Sequence, residues 1–260
     1  MTKFQIGAQL YSIRDKTQTP ATYREALKEL AQMGYKTVQV SGQSREIPFS
    51  EIRDMLDEAG LEAGATHVAF PDIVERFDEV VKNHRILNCV YPGIGAMPEK
   101  YRQSAEGYVA FAKEIGAIAE RFEGEGMHLI YHNHNFEFER FKDVNRTGME
   151  LLLEYAPKAL QFELDVFWVQ AAGASPVEWI RRVAGRMDVV HFKEMAYAPG
   201  LTVAMAPIGC GNMNWTDIMA ACDDIGVKYA FIEQDNAVDT DSIECMRASI
   251  ENLRGLGGRF

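Results

Sequence analysis

The 260-residue sequence predicts an α/β fold: a (β/α)8 barrel, with eight parallel strands wrapped by outer helices. Three observations predict it. Short β-type runs alternate with longer amphipathic segments along the whole chain, in strand-plus-helix units spaced roughly 25 to 40 residues apart. The strand runs are mostly continuous apolar stretches, which suits a parallel sheet covered by helices. No Gly-rich dinucleotide turn follows the first run, where "GAQLYSIRDK" stands instead, and this argues against a doubly wound open sheet.

The strands are expected at Phe4–Leu10, Lys36–Val40, Leu61–His67, Ile86–Tyr91, Met127–His132, Leu160–Asp165, Asp188–Phe192 and Lys228–Glu233. Helical patterns lie between them. "TPATYREALKELAQMGY" sets Leu27, Leu30 and Ala31 at helical spacing, with Thr19 as N-cap ahead of Pro20. "SEIRDMLDEAG" opens on Ser50 as a cap, carries acids in its first turn and closes on Gly60. The stretch from Pro98 to Glu123 reads as the longest helix, and Gly116 within it costs helicity but permits close packing. "GASPVEWIRRVAGR" and "MNWTDIMAACDDIGV" each begin near a small or polar cap and end at Gly185 and Gly226. No linker, low-complexity tract or shift in composition divides the chain, so a single domain over residues 1–260 is expected.

The net charge of -11 and pI near 5.1 oppose nucleic acid and anionic membrane as partners. No apolar window approaches the ~20 residues of a membrane span. The opening "MTKFQIGAQLYS" lacks a basic region followed by a long apolar one, the pattern of a secretory leader. Cys89, Cys210, Cys222 and Cys245 form no CxxC pair, which fits a reducing, cytoplasmic setting without disulfides. Acidic barrels of this length often form dimers or tetramers, so a homo-oligomer is compatible with the sequence.

In such a barrel the chemistry stands at the C-terminal ends of the strands. Here those ends read Gln9, Ser41, His67, Tyr91, His132 with His134, Asp165, His191 and Glu233. Residues two apart on a strand share a face, so His132 pairs with His134, His191 with Lys193, and Glu233 with Asp235. Any one of these alone is explained by capping of a neighbouring loop. His, Asp, His and Glu ending four consecutive strands are not explained that way. Buried unpaired, each costs several kcal/mol, and a divalent cation among them resolves the cost jointly. Mixed imidazole and carboxylate ligation suits Zn2+ or Mn2+ better than Mg2+ or Ca2+. His84 and His128 read as structural, while His67 divides evenly between substrate contact and loop support. Trp179 and Trp215 read as packing; Trp168, just past Asp165, is also placed to line a sugar-sized pocket.

"GAQLYSIRD", "YHNHNFEF", "ELDVFWVQAAGASP", "VVHFKEM", "IGCGNMNW" and "FIEQD" stand in an order and spacing that resembles the xylose isomerase-like TIM-barrel superfamily. More narrowly, the chain is similar to its sugar phosphate isomerase/epimerase group, and the resemblance covers essentially the whole chain. The superfamily includes ketose epimerases, hydroxypyruvate isomerase, inosose dehydratase and endonuclease IV. The resemblance implies one divalent metal, often Mn2+, on Glu, Asp, His and Glu. Asp165, His191 and Glu233 match three of these. The first Glu falls at His132, where many relatives read "EN-H" and this chain reads "HNH". One of the two glutamates that act as paired acid and base in the epimerases is therefore replaced, unless Glu137 reaches in from the following loop.

The expected function is that of a metal-dependent isomerase or epimerase on a keto or aldo sugar or sugar derivative. Glu233 is the expected base, Lys193 the group that neutralises or protonates a developing oxyanion, and Glu137 a third catalytic group. Gln9, His67, His134 and Trp168 are expected to contact the substrate. A lyase or dehydratase of a keto-sugar or keto-polyol, similar to inosose dehydratase, is the alternative, because the HNH form leaves room for one-base chemistry. A phosphodiesterase similar to endonuclease IV is disfavoured by the acidic balance, and a non-catalytic sugar binder is the remaining class.

Overall fold

The computed structural model of the protein describes residues 1–200, 202–237 and 240–260. Eight parallel strands form its central sheet: β1 (Gln5–Gln9), β2 (Thr37–Val40), β3 (Glu62–Thr66), β4 (Gly93–Ile94), β5 (Ile130–His132), β6 (Gln161–Asp165), β7 (Val189–Phe192) and β8 (Tyr229–Ile232). Their spatial order is β3-β2-β1-β8-β7-β6-β5-β4. The two ends meet where Thr66 N donates to Tyr91 O at 3.1 Å and Val68 N donates to Gly93 O at 2.8 Å, so the barrel is nearly closed.

Helices α1 (Pro20–Met33), α2 (Phe49–Ala59), α3 (Phe70–Glu75), α4 (Phe77–Leu87), α5 (Ala105–Gly124), α6 (Gly148–Tyr155), α7 (Val166–Ala171), α8 (Pro176–Arg182), α9 (Trp215–Ile225) and α10 (Ser242–Gly255) surround it. Their caps follow local chemistry. Thr19 accepts from Thr22 N at the start of α1. Gly60, in the left-handed region at φ 70°, ends α2. Gly116 of α5 lies where an added Cβ would sit 2.2 Å from Pro157 Cδ, which is the close packing its position requires.

Both faces of strands such as β2 and β7 are buried, which is why their sequences are mostly apolar. On the strand faces that carry His132, His191 and Glu233, residues two positions earlier (Ile130, Val189, Phe231) join Ala65 and Tyr91 in an apolar cluster of their own. This plug forms the floor of the site.

Three expectations are corrected. The fourth strand is Gly93–Ile94, not Ile86–Tyr91, because Ile86 and Leu87 complete the last turn of α4 with Leu87 buried. Ser50 does not cap α2; Pro48 is the N-cap and makes no side-chain cap bond. The long helix starts at Ala105 with Ser104 as its cap, and Glu99–Tyr101 before it is a separate 3-10 turn. In addition, an antiparallel hairpin of Glu194–Ala198 and Thr202–Ala206 follows β7, with Tyr197 and Val203 exposed. Among the described residues no helix is long and apolar enough to cross a membrane, and all four cysteines are free.

Candidate active site

Parallel pairing sets the strand ends side by side. Asp165 of β6 is in register with His191 of β7, His191 faces Phe231 of β8, and Glu233 follows two residues later. His132 of β5 pairs with Glu163 of β6. The result is a ring of four buried side chains, His132, Asp165, His191 and Glu233, each offering a ligand atom within 4.8 Å of the others. His132 Nε2 lies 3.3 Å from Asp165 Oδ2, and His191 Nδ1 lies 2.9 Å from Glu233 Oε2. Two imidazole nitrogens and two carboxylate oxygens converging this closely fit a divalent transition metal in donor number and in chemistry.

The carboxylates are ionised despite their burial. Burial alone would raise the carboxyl of Asp165, but the ammonium of Lys193 and the bond from His132 outweigh it and hold the group below its usual range. Glu233 is held well below its usual range against burial by Lys193 and then His191. Asp165 Oδ1 also accepts from Phe167 N at 2.9 Å and Trp168 N at 3.2 Å, so the residue caps α7 with one oxygen and faces the site with the other.

Lys193 is 1% exposed, and its Nζ lies 2.9 Å from Asp165 Oδ2, 2.8 Å from Glu233 Oε2 and 3.0 Å from Asp235 Oδ2. Burial disfavours the ammonium, but Asp165, Glu233 and Asp235 together raise it far above its ordinary value, so it is charged. Asp235 itself is raised, by burial and then by the neighbouring charge of Glu233.

A second layer lies beneath, built on Glu163, which is not among the expected site residues. Glu163, two before Asp165 on the same face of β6 and fully buried, accepts from His67 Nε2 at 2.6 Å and from Gln39 Nε2 at 2.8 Å. His191 Nε2 lies 3.1 Å from Glu163 Oε1 and 2.6 Å from Gln39 Oε1. Burial would raise the Glu163 carboxyl, yet His191 and His67 hold it strongly down. In turn, against burial, Glu163 and Glu233 raise His191 to about 10. An ion taken up at Nδ1 of His191 therefore displaces a firmly held proton. The signal for Glu163 was available as two carboxylates at i and i+2 in "ELD", one face of one strand.

The other expected residues divide. His67 stands at the wall of the site, with its ring 5.3 Å from those of His132 and His191; burial lowers its pKa against the pull of Glu163. His134 packs against Phe136 and Trp168 at 5.4 Å from each, and burial lowers it to about 3, so it is neutral. His134 Nδ1 and Trp168 Nε1 are buried without a hydrogen-bond partner among the described residues. Glu137 is not brought to the four: it accepts from Tyr131 Oη at 2.5 Å and from His134 N at 2.9 Å, fixing the loop, and burial raises it to about 7. Gln9 is fully buried, with Oε1 accepting from Tyr11 N at 3.1 Å. Asn133, the central residue of "HNH", accepts from Asp165 N at 3.0 Å and ties β5 to β6.

Above the ring opens a cavity of about 620 Å3 lined by Tyr11, Ser41, His67, His134, Lys193 and Glu233. A second, of about 680 Å3, shares His67 with it and runs outward past Arg45 and Phe49.

Residues 27–256 match the model of a protein family described as the xylose isomerase-like TIM barrel. The chain belongs to that family. As a family member it is similar in structure to a sugar phosphate isomerase/epimerase from Parabacteroides distasonis ATCC 8503, with a TM-score of 0.80 and 21% identity over 98% of this chain and 94% of that one. It is also similar to a probable 3-DHS dehydratase involved in petrobactin synthesis from Bacillus anthracis, with a TM-score of 0.74 and 16% identity over 96% and 99% of the two chains. An L-ribulose 3-epimerase structure aligns with a TM-score of 0.73 and 15% identity over 98% and 94%. No curated protein matches the chain. For this xylose isomerase-like barrel, identities at this level establish the shared fold.

Proposed function

We propose that the protein is a divalent-metal-dependent isomerase or epimerase that moves a proton next to a carbonyl of a keto or aldo sugar or sugar derivative. The observation that carries this reading is the disposition of Glu233. Its Oε2 takes the contacts from His191 and Lys193, while no hydrogen bond from the described residues reaches Oε1, and the residue lines the cavity. A carboxylate held ionised at a cavity wall, with one free oxygen, is equipped to take a proton from a bound carbon acid. The sugar isomerases and epimerases among its structural neighbours support the same reading.

His132, Asp165, His191 and Glu233 would hold the ion, Mn2+ or Zn2+, which when bound polarises the substrate carbonyl as a Lewis acid. The ammonium of Lys193 lies against Glu233 and donates toward the oxygen on which negative charge develops. His134 lines the cavity and contacts the substrate there, with Trp168 packed behind its ring. His67 contacts the substrate from the opposite wall. Gln9 and Glu137 serve the site by holding the first loop and the HNH loop in place.

The lyase reading has one observation in its favour. His132 stands where the resemblance places a second glutamate, which leaves Glu233 as the single carboxylate base and Lys193 as the acid for a departing oxygen. The dehydratase among the neighbours fits that reading.

The test is incubation of keto-sugars, keto-polyols and 3-keto-glycosides with Mn2+-loaded protein in D2O, followed by NMR. Isomerase or epimerase activity places deuterium on the substrate carbon; a lyase instead gives a product with new enone absorbance. Glu233→Gln with metal retained should lower turnover by orders of magnitude, and unchanged turnover removes Glu233 as the base.

A further inference from the structure

Lys193 touches Asp165 Oδ2 and Glu233 Oε2, the same two oxygens that face His132 Nε2 and His191 Nδ1. The two carboxylate oxygens that face those imidazole nitrogens are thus already held by a cation the chain supplies itself. We propose that Lys193 is a tethered counter-ion: it keeps the two carboxylate ligands together without a metal, and it opposes the metal's entry. The inference rests on reading the four-residue ring as a metal site.

The charges in this space are lopsided. Glu163, Asp165, Glu233 and Asp235 stand within one network, and Asp165 and Glu233 repel each other across the ring. Lys193 is the ammonium in contact with both of them among the described residues. Without it, Asp165 would keep only its contact from His132 and Glu233 only that from His191, and removing one partner of a buried ion pair is strongly destabilising. Lysine suits the place because its charge is compact and its stem flexible. Its Nζ lies over the rings of Phe167 and Trp168, 6.0 and 5.4 Å from their centroids.

Asp235 completes the device. It lies outside the ligand ring, yet its Oδ2 is 3.0 Å from Nζ. When a divalent ion takes Asp165 and Glu233, the ammonium keeps a charged partner in Asp235 and remains beside the site. Two positive charges at such separation repel each other, and the repulsion lowers the affinity for the ion. The ring is therefore assembled before the ion arrives, at the expense of tight binding.

Metal-free wild type, Lys193→Met and Lys193→Arg, titrated with MnCl2 and followed by calorimetry and by thermal melting, test this. Lys193→Met should bind Mn2+ at least tenfold tighter than wild type. Its metal-free form should melt below wild type, and saturating Mn2+ should close the gap; Lys193→Arg, which keeps the charge, should bind Mn2+ no tighter than wild type. Equal or weaker Mn2+ binding by Lys193→Met, or a melting gap that stays open, overturns the proposal. Should Lys193→Met not fold, Lys193→Gln serves, with the same outcomes. If neither wild type nor variant takes up Mn2+ or Zn2+, the metal reading itself falls; if both bind alike, that reading stands and only the tethered-cation role falls.

Discussion

Glu163 Oε1 lies 3.1 Å from Nε2 of His191, so a fully buried carboxylate fixes the ring of a residue whose other nitrogen faces the candidate metal ring. The pairing sets which nitrogen is presented upward and raises its basicity, as partners behind metal-bound histidines do. Glu163→Gln removes the charge and leaves a nitrogen where an acceptor stood. The expected outcome is a 10- to 100-fold loss of Mn2+ or Zn2+ affinity, on the order usual for such partners, read by calorimetry. An unchanged dissociation constant would show that His191 is oriented by Gln39 alone.

Metal preference should follow the fifth strand. His132→Glu exchanges an imidazole for a carboxylate and makes the donor set richer in oxygen, which shifts preference away from Zn2+ and toward Mn2+. Competitive titration should show the Zn2+-over-Mn2+ ratio falling by about tenfold or more. A constant ratio would mean that His132 does not belong to the coordinating set.

His84 is expected to govern acid sensitivity from outside the site. It is buried between Thr66 Oγ1 and Val80 O, each at 2.7 Å, and burial lowers its pKa from 6.5 to about 4. Between those values the unfolded chain binds a proton that the folded chain does not, so stability falls as pH drops through that window. The loss from this group is about 2 kcal/mol at pH 5 relative to neutral pH. Urea unfolding at pH 7.5 and pH 5 should show it, and His84→Gln should be less stable at neutral pH with a flatter profile. An equally steep profile in the variant would assign the acid sensitivity elsewhere.

Glu194 is expected to hold the loop after the hairpin. Its carboxylate accepts from Met195 N at 3.1 Å, Gly209 N at 2.8 Å, Met213 N at 3.0 Å and Trp215 Nε1 at 2.5 Å. Glu194→Ala strands these donors, most of them buried, and should lower stability by about 3 kcal/mol, since bonds to a charged acceptor contribute more than neutral ones. Denaturation midpoints and the rate of proteolysis between Pro207 and Asn214 measure it. A loss below about 1 kcal/mol would mean that solvent or a rearranged loop satisfies the donors.

Much of the fold was legible because parallel barrel strands are buried on both faces and read as unbroken apolar runs. The fourth strand was misread for the same reason: the last buried turn of α4 runs on into Cys89, Val90 and Tyr91, and the apolar signal does not break at the helix end. The hairpin after His191 lies outside the expected eight strands, although "EMAYAPGLTVAMA" carries a Pro-Gly turn between extended runs. At the site, the four strand-end residues were legible because polar groups closing apolar runs stand out. Gln39 was not, because a polar side chain inside a strand looks like a solvent-facing one until the barrel curves its face inward; Glu163 left only the i and i+2 carboxylates of "ELD" as its mark. Asn133 lay in plain view within "HNH", but its work is done on a backbone amide, which leaves no mark in side-chain patterns.

The register between β6 and β7, Asp165 beside His191, places these two groups by main-chain pairing and not by the size or charge of either one. Neighbouring strands stand about 4.8 Å apart whatever their side chains are. Positions on this wall are therefore fixed while their occupants are exchangeable, and an exchange at position 132 can change the donor set without asking the scaffold to fold anew. A wall of this kind lets a lineage trial new chemistry one strand end at a time, with the remaining three anchors held in place.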